Sequence, residues 1–181
     1  MERKAEVVLL QELPEERGGV GIIHSAYEIR KRKSVWTAVR KRNALGADER
    51  TDLSKGANHA VIVIDVKRRG EKMTRMIYIC KQRDVQTGER QARKINWHKI
   101  IRRGGGTVLA GDMNAHSRRG DPSCKEQRDA TFWEDIIVEH RLEIGNDGRP
   151  THHWTRNGAE GESTIDLTLA NRLITRCTTL D

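Results

Sequence analysis

Ala60-Val61-Ile62-Val63-Ile64-Asp65-Val66 contains one polar residue in an otherwise apolar, β-branched run. An unbroken apolar stretch of this length, bounded by polar segments, is the pattern of a strand covered on both faces. Met76-Ile77-Tyr78-Ile79 is its expected neighbour across the turn at 67–74. Val7-Val8-Leu9-Leu10 reads as a short buried strand with Gln11-Glu12 at its end, and Pro14 prevents anything regular from continuing directly. Val35-Trp36-Thr37-Ala38-Val39 has strand composition between two basic clusters. Thr107-Val108-Leu109-Ala110 is a strand that delivers Gly111-Asp112-Met113-Asn114. Residues 151–155 and 163–170 read as two further strands, with Asn157-Gly158 supplying turn chemistry. Residues 43–58 lack apolar periodicity and read as a connecting loop. Two helices are expected. One covers 89–102, with Ala92, Ile95, Ile100 and Ile101 at helical spacing and Gly104-Gly105-Gly106 as its stop. The other covers 130–139, with Phe132, Ile136, Ile137 and His140 on one face. Many strands with two interspersed helices predict an α/β sandwich, and 181 residues fit one domain.

Thirty-four Lys and Arg against 26 Asp and Glu give a formal charge of +8, so polyanions are the expected partners, nucleic acid first among them. The basic residues gather in Arg30-Lys31-Arg32-Lys33 and Arg40-Lys41-Arg42, which suit phosphate contacts or simply a solvated face. Three scattered cysteines with no Cys-x-x-Cys pair exclude a disulfide framework and a zinc ribbon. No apolar run approaches the roughly 18 residues of a membrane helix, and the N-terminus lacks a signal-peptide core. A soluble intracellular protein, nuclear or cytoplasmic and without a membrane partner, is expected.

Asp112 and Asn114 alternate at a strand end, so both side chains project the same way from extended backbone. Such a pair can divide a phosphoester reaction, the Asp aligning a water or taking a metal and the neutral Asn donating to the phosphate. The same residues also suit a β-turn. Glu12 offers a carboxylate at another strand end, or a solvated acid beside Glu15 and Glu16. Asp166 lies among apolar neighbours, where an acid needs a partner: it ties down a loop or orients an imidazole. The seven histidines form no evident ligand set, since His152 and His153 face opposite sides of a strand and His116 reads as a neighbour of Asn114. No Gly-x-Gly-x-x-Gly opens a helix and no Walker lysine is present, which excludes dinucleotide and P-loop binding.

Leu10-Gln11-Glu12, Gly111-Asp112-Met113-Asn114-Ala115-His116 and Ser163-Thr164-Ile165-Asp166-Leu167-Thr168 occur in that order. Together they resemble successive signatures of the endonuclease/exonuclease/phosphatase superfamily, and most of all the endonuclease domain of non-LTR retrotransposons. The resemblance implies a four-layer α/β sandwich, a Mg²⁺ or Mn²⁺ site and hydrolysis of a phosphodiester in DNA. It makes Glu12 the metal carboxylate, Asp112 the group that aligns or deprotonates the attacking water, and Asn114 the support of the scissile phosphate. Asp166 would hold the histidine that stabilises the transition state, with His116 and Ser163 in supporting positions.

Three departures from the family pattern qualify these expectations. The strand that ordinarily precedes Gln11-Glu12, with its terminal Asn, has no counterpart. Tyr78-Ile79-Cys80 stands where Asn-x-Tyr is common. No Ser-Asp-His follows Asp166 before Asp181. The expectation is therefore an incomplete sandwich, 1–181, truncated at both ends, with impaired catalysis. Two other classes remain open: a nucleic-acid-binding relic without catalysis, and a phosphatase acting on small phosphoesters, which gives no reason for the basic clusters.

Overall fold

The computed structural model describes residues 5–11, 25–32, 35–41, 45–54, 61–80, 91–102, 104–113, 128–156 and 158–171. In chain order the strands are β1 (Val7–Gln11), β2 (Tyr27–Arg32), β3 (Val35–Arg40), β4 (Leu45–Glu49), β5 (Val61–Arg68) and β6 (Thr74–Cys80). They continue as β7 (Gly106–Asp112), β8 (Leu142–Ile144), β9 (His152–Arg156), β10 (Ala159–Ser163) and β11 (Asp166–Asn171). The helices are α1 (Thr51–Ser54), α2 (Trp97–Ile100) and α3 (Arg128–Glu139).

The strands form a six-stranded sheet in the order β4-β5-β6-β7-β11-β8, a three-stranded sheet β1-β3-β2, and a β9-β10 ribbon. In the large sheet β6 and β7 run parallel, while the other pairs are antiparallel. Alternation along each strand sends side chains to two separate apolar layers. Val61 and Val63 of β5, Ile77 and Ile79 of β6 and Leu109 of β7 pack under the helices with Trp97, Ile100, Trp133 and Ile137. Trp133 is the centre of that layer, edge-on to Trp97 at 5.3 Å and to Phe132 at 5.2 Å. The intervening residues Ile62, Ile64, Tyr78 and Cys80 face the small sheet and meet Val35 and Val39, with Leu9 beside them. The expected α/β sandwich is therefore present, with β5 buried on both faces along its first five residues.

Several local expectations are corrected. β1 is half-buried and not a core strand, because it is an edge of the small sheet. The basic run around Arg30 is itself a strand, β2, paired with β3. The segment read as a loop holds β4 and α1. β4 buries alternate residues only partly, and its apolar residues, Leu45 and Ala47, are too few to produce a periodic signal. The expected helix at 89–102 is broken into a 3₁₀ turn (Gln91–Lys94) and the single-turn α2, because the Asn96 side chain caps α2 by accepting from the Lys99 N–H at 3.1 Å. The four apolar residues expected to pack from it are nevertheless all buried. The strand expected at 163–170 divides into the end of β10 and the start of β11, and the three-residue β8 was not foreseen.

At the rim where β7 begins, Arg75 donates two hydrogen bonds of 2.7 Å to Asp65 and one of 3.0 Å to the Ile100 carbonyl. Arg50 reaches the same carboxylate at 3.1 Å. Burial alone would raise the Asp65 pKa, but Arg75 and then Arg50 hold it below the ordinary carboxylate value. This ion cluster joins β5, β6, α2 and the link between β4 and α1.

Candidate active site

Asp112 ends β7, and directly opposite it in the antiparallel ladder stands Asp166, the first residue of β11. The Met113 N–H donates to the Ile165 carbonyl at 3.0 Å. The adjacent Asp112–Asp166 pair is therefore a non-hydrogen-bonded one, the kind that brings opposed side chains closest, with Cα atoms roughly 4.5 Å apart. Both side chains point to the face that meets the small sheet. On the other side of Asp112, Cys80 is its register partner in β6. Cys80, Asp112 and Asp166 thus form a row across three strands at one rim, with Asp112 8% exposed and Cys80 buried.

The backbone that carries this row is closely specified. Gly111 has φ +135°, and a Cβ there would lie 1.8 Å from the Ile79 carbonyl oxygen. Only glycine fits, so the glycine before Asp112 is a steric requirement of the bend that aims the carboxylate. Asp166 is held from both sides. Its N–H and that of Ile165 donate to Thr151 Oγ1, at 3.0 and 3.1 Å. Asn146 Nδ2 donates to the Asp166 carbonyl at 2.9 Å, while Asn146 Oδ1 accepts from the Thr168 N–H at 2.8 Å. The Asn146 side chain acts as a strand partner where β8 has ended. Sequence reasoning missed both Asn146 and Thr151, since nothing in a lone polar residue of a loop marks which strand it will face.

Ser163 is buried at the end of β10, and its carbonyl accepts from the Thr151 N–H at 3.0 Å. It thereby fixes the residue that holds Asp166. Glu12, Asn114, His116, Lys33 and Arg42 lie outside the described residues. The strand leading to Glu12 is placed, however: β1 packs against β7. Glu6, just before β1, pairs with Arg68 at the opposite rim from Asp112. β1 therefore runs from that rim towards the carboxylate row.

Strand alternation divides the first basic cluster. Arg30 faces inward and donates to the Ala47 carbonyl at 2.8 Å and to Glu28 at 3.2 Å. Lys31 faces outward, its Nζ 4.5 Å from the centre of the Trp36 ring. Arg40 is on the same outward face, and the exposed Lys41 follows it. The backbone of Arg32 continues β2. The expectation that the histidines gather nowhere is overturned for His98 and His140, which meet at Glu139 with ring centres 5.1 Å apart. His98 lies in α2 and His140 directly follows α3, so no spacing in the sequence announced it.

A family described as endonuclease-reverse transcriptase matches residues 75–181, more than half of the chain. The chain belongs to this endonuclease-reverse transcriptase family. It has the fold of the nucleases and phosphodiesterases of the endonuclease/exonuclease/phosphatase superfamily. Among solved structures it is similar to the endonuclease domain of TRAS1, a telomere-specific non-LTR retrotransposon. That likeness has a TM-score of 0.61 at 16% identity and covers 96% of this chain and 70% of that one. It is also similar to D. rerio TDP2 complexed with a single-strand DNA product, with a TM-score of 0.54 at 10% identity, covering 92% and 70%. At these identities the likeness establishes the fold. No curated protein matches the chain. Among the described residues of this endonuclease-reverse transcriptase family member, no helix is long and apolar enough to cross a membrane.

Proposed function

We propose that this protein is a divalent-metal-dependent DNA endonuclease of retrotransposon origin whose reaction takes place at the rim carrying Asp112 and Asp166. The observation that carries the proposal is their register pairing: two carboxylates face each other across adjacent strands, in a family that hydrolyses phosphodiesters. Two acids so placed repel, and a bound cation offsets that repulsion. Oxygen donors suit a hard ion, so Asp112 and Glu12 would hold Mg²⁺ or Mn²⁺. When bound, such an ion neutralises charge developing on the phosphate and leaving oxygen.

The roles of this chain's own residues follow. Asp112, aimed by Gly111, aligns the attacking water and takes its proton at a carboxylate oxygen. Asn114 donates to the scissile phosphate without adding negative charge. Asp166, fixed by Thr151 and Asn146, is the positioning residue for an imidazole. Lys31 and Arg40, on the outward face of the small sheet, and the exposed Lys41 just after β3 supply sequence-independent contacts to the DNA backbone. Arg30 is already engaged by Ala47 and Glu28 and contributes structure.

The test is thermal unfolding with and without Mg²⁺ or Mn²⁺, alongside metal-dependent nicking of plasmid DNA. A ligand that binds only the native state raises stability by RT ln(1 + [L]/Kd). The expected result is a raised midpoint that Asp112→Asn removes, with any nicking lost in the same variant. An unchanged midpoint in the wild type, or nicking that survives Asp112→Asn, would overturn the assignment.

A further inference from the structure

On the opposite side of the large sheet from the carboxylate row, α2 and α3 bring His98, Glu139 and His140 together. Their ligand atoms all lie within 4.8 Å of one another. We propose that these three side chains form a Zn²⁺ site that joins α2 to the C-terminal end of α3. It is independent of the nuclease reading.

The geometry is that of a chelate. His98 Nε2 is 3.3 Å from Glu139 Oε1, and His140 Nε2 is 3.8 Å from the other carboxylate oxygen. Zinc bonds of about 2.0–2.1 Å to nitrogen and oxygen set tetrahedral ligand edges of about 3.3 Å. The first separation matches such an edge, and a small movement of the exposed Glu139 closes the second. The ligands are also suitably divided between fixed and accessible. The His140 side chain is 3% exposed and serves as the anchor, whereas His98 and Glu139 are about half exposed and let an ion enter from solvent.

The helix end gives a second, separate reason. The last turn of α3 contains no basic residue and finishes on Glu139. The exposed carbonyls of a helix C-terminus already carry partial negative charge, so an acid at this position is locally unfavourable. Glu134, Asp135 and Glu139 line one open depression beside Val138 and deepen the negative potential. A cation bound by Glu139 offsets both effects. Two imidazoles with one carboxylate select a borderline ion such as Zn²⁺ over Mg²⁺ or Ca²⁺, which take oxygen donors. By holding Glu139 and His140 against His98, the ion would fasten α2 to α3 over the Trp97–Trp133 contact.

The experiment is Zn²⁺ titration of the tag-free 181-residue protein in excess Mg²⁺, followed by calorimetry, thermal unfolding and the imidazole NMR signals of His98 and His140. His98→Ala and Glu139→Gln change exposed groups, so both variants keep the fold. The expected result is one equivalent bound, a raised unfolding midpoint, shifts of both imidazole signals, and at least a tenfold loss of affinity in each variant. Excess Mg²⁺ keeps the outcome separate from that of the carboxylate row. Equal Zn²⁺ affinity in wild type and both variants would place the ion elsewhere and overturn the proposal. So would a wild-type midpoint that Zn²⁺ leaves unmoved, which would reduce the cluster to a charge pair.

Discussion

Asp166 faces Asp112 across a non-hydrogen-bonded position of the β7–β11 ladder, two acids on one face of the large sheet. Like charges directly opposed across a ladder are destabilising. In the presence of a chelator, Asp166→Asn is therefore expected to raise the unfolding midpoint slightly. In Mg²⁺ the order should reverse, with the wild type gaining more than the variant. Paired unfolding scans in EDTA and in Mg²⁺ check both signs, and a variant less stable in both would remove the repulsion from the account.

Gly111→Ala tests the bend before Asp112. The new Cβ would meet the Ile79 carbonyl at 1.8 Å in a conformation that side chains rarely adopt. Backbone strain alone costs about 1–3 kcal/mol, and the clash adds to it. Chemical denaturation should show a loss of at least about 2 kcal/mol, and a variant within experimental error of wild type would refute the steric argument.

The Arg75–Asp65 pair predicts a pH dependence. The folded pKa of Asp65 lies below its unfolded value of about 3.9, so its contribution is fully present above that value and is lost as pH falls through the folded pKa. Arg75→Met leaves Asp65 buried with only Arg50 to meet it. Removing one partner of a buried pair costs roughly 3–5 kcal/mol. Unfolding curves at neutral pH should show that loss, and the difference between variant and wild type should narrow as pH drops below about 4. A constant difference across the acid range would contradict the linkage.

Replacing Lys31, Arg40 and Lys41 with Ala should flatten the dependence of duplex-DNA affinity on salt, by roughly 0.9 in the log-log slope for each phosphate no longer neutralised. Arg30→Ala should instead lower stability and leave that slope unchanged, because Arg30 bonds to Ala47 across the sheets. Filter binding at several salt concentrations separates the two. Equal slopes for all variants would assign the whole cluster to solvent.

The sequence revealed its structure where one signal dominated. Residues 61–66 could only be a covered strand, and the glycine, acid and asparagine after residues 107–110 could be read as a strand end with chemistry. Legibility failed where partners decided the outcome. β4 exists because β5 offers it an edge, α2 stops and starts because the Asn96 side chain competes with the helix backbone, and Asn146 matters because β8 ends too soon to pair with Asp166. His98 and His140 were unreadable as a pair for the same reason, since their meeting is made by the packing of Trp97 on Trp133.

The place of β11 between β7 and β8 also sets the order in which the molecule can be completed. β8 precedes β11 in the chain yet has no partner among the described strands until β11 arrives, and β7 keeps an open edge for the same interval. A ribosome adding about 5–20 residues per second delivers Asp112 well before the strand that will face it. Until then the growing polypeptide holds its acids apart, and no half-made copy can assemble the opposed pair. Closing the sheet is a late, long-range event of the kind that slows folding. The opposed acids therefore come together only when β11 is inserted between β7 and β8.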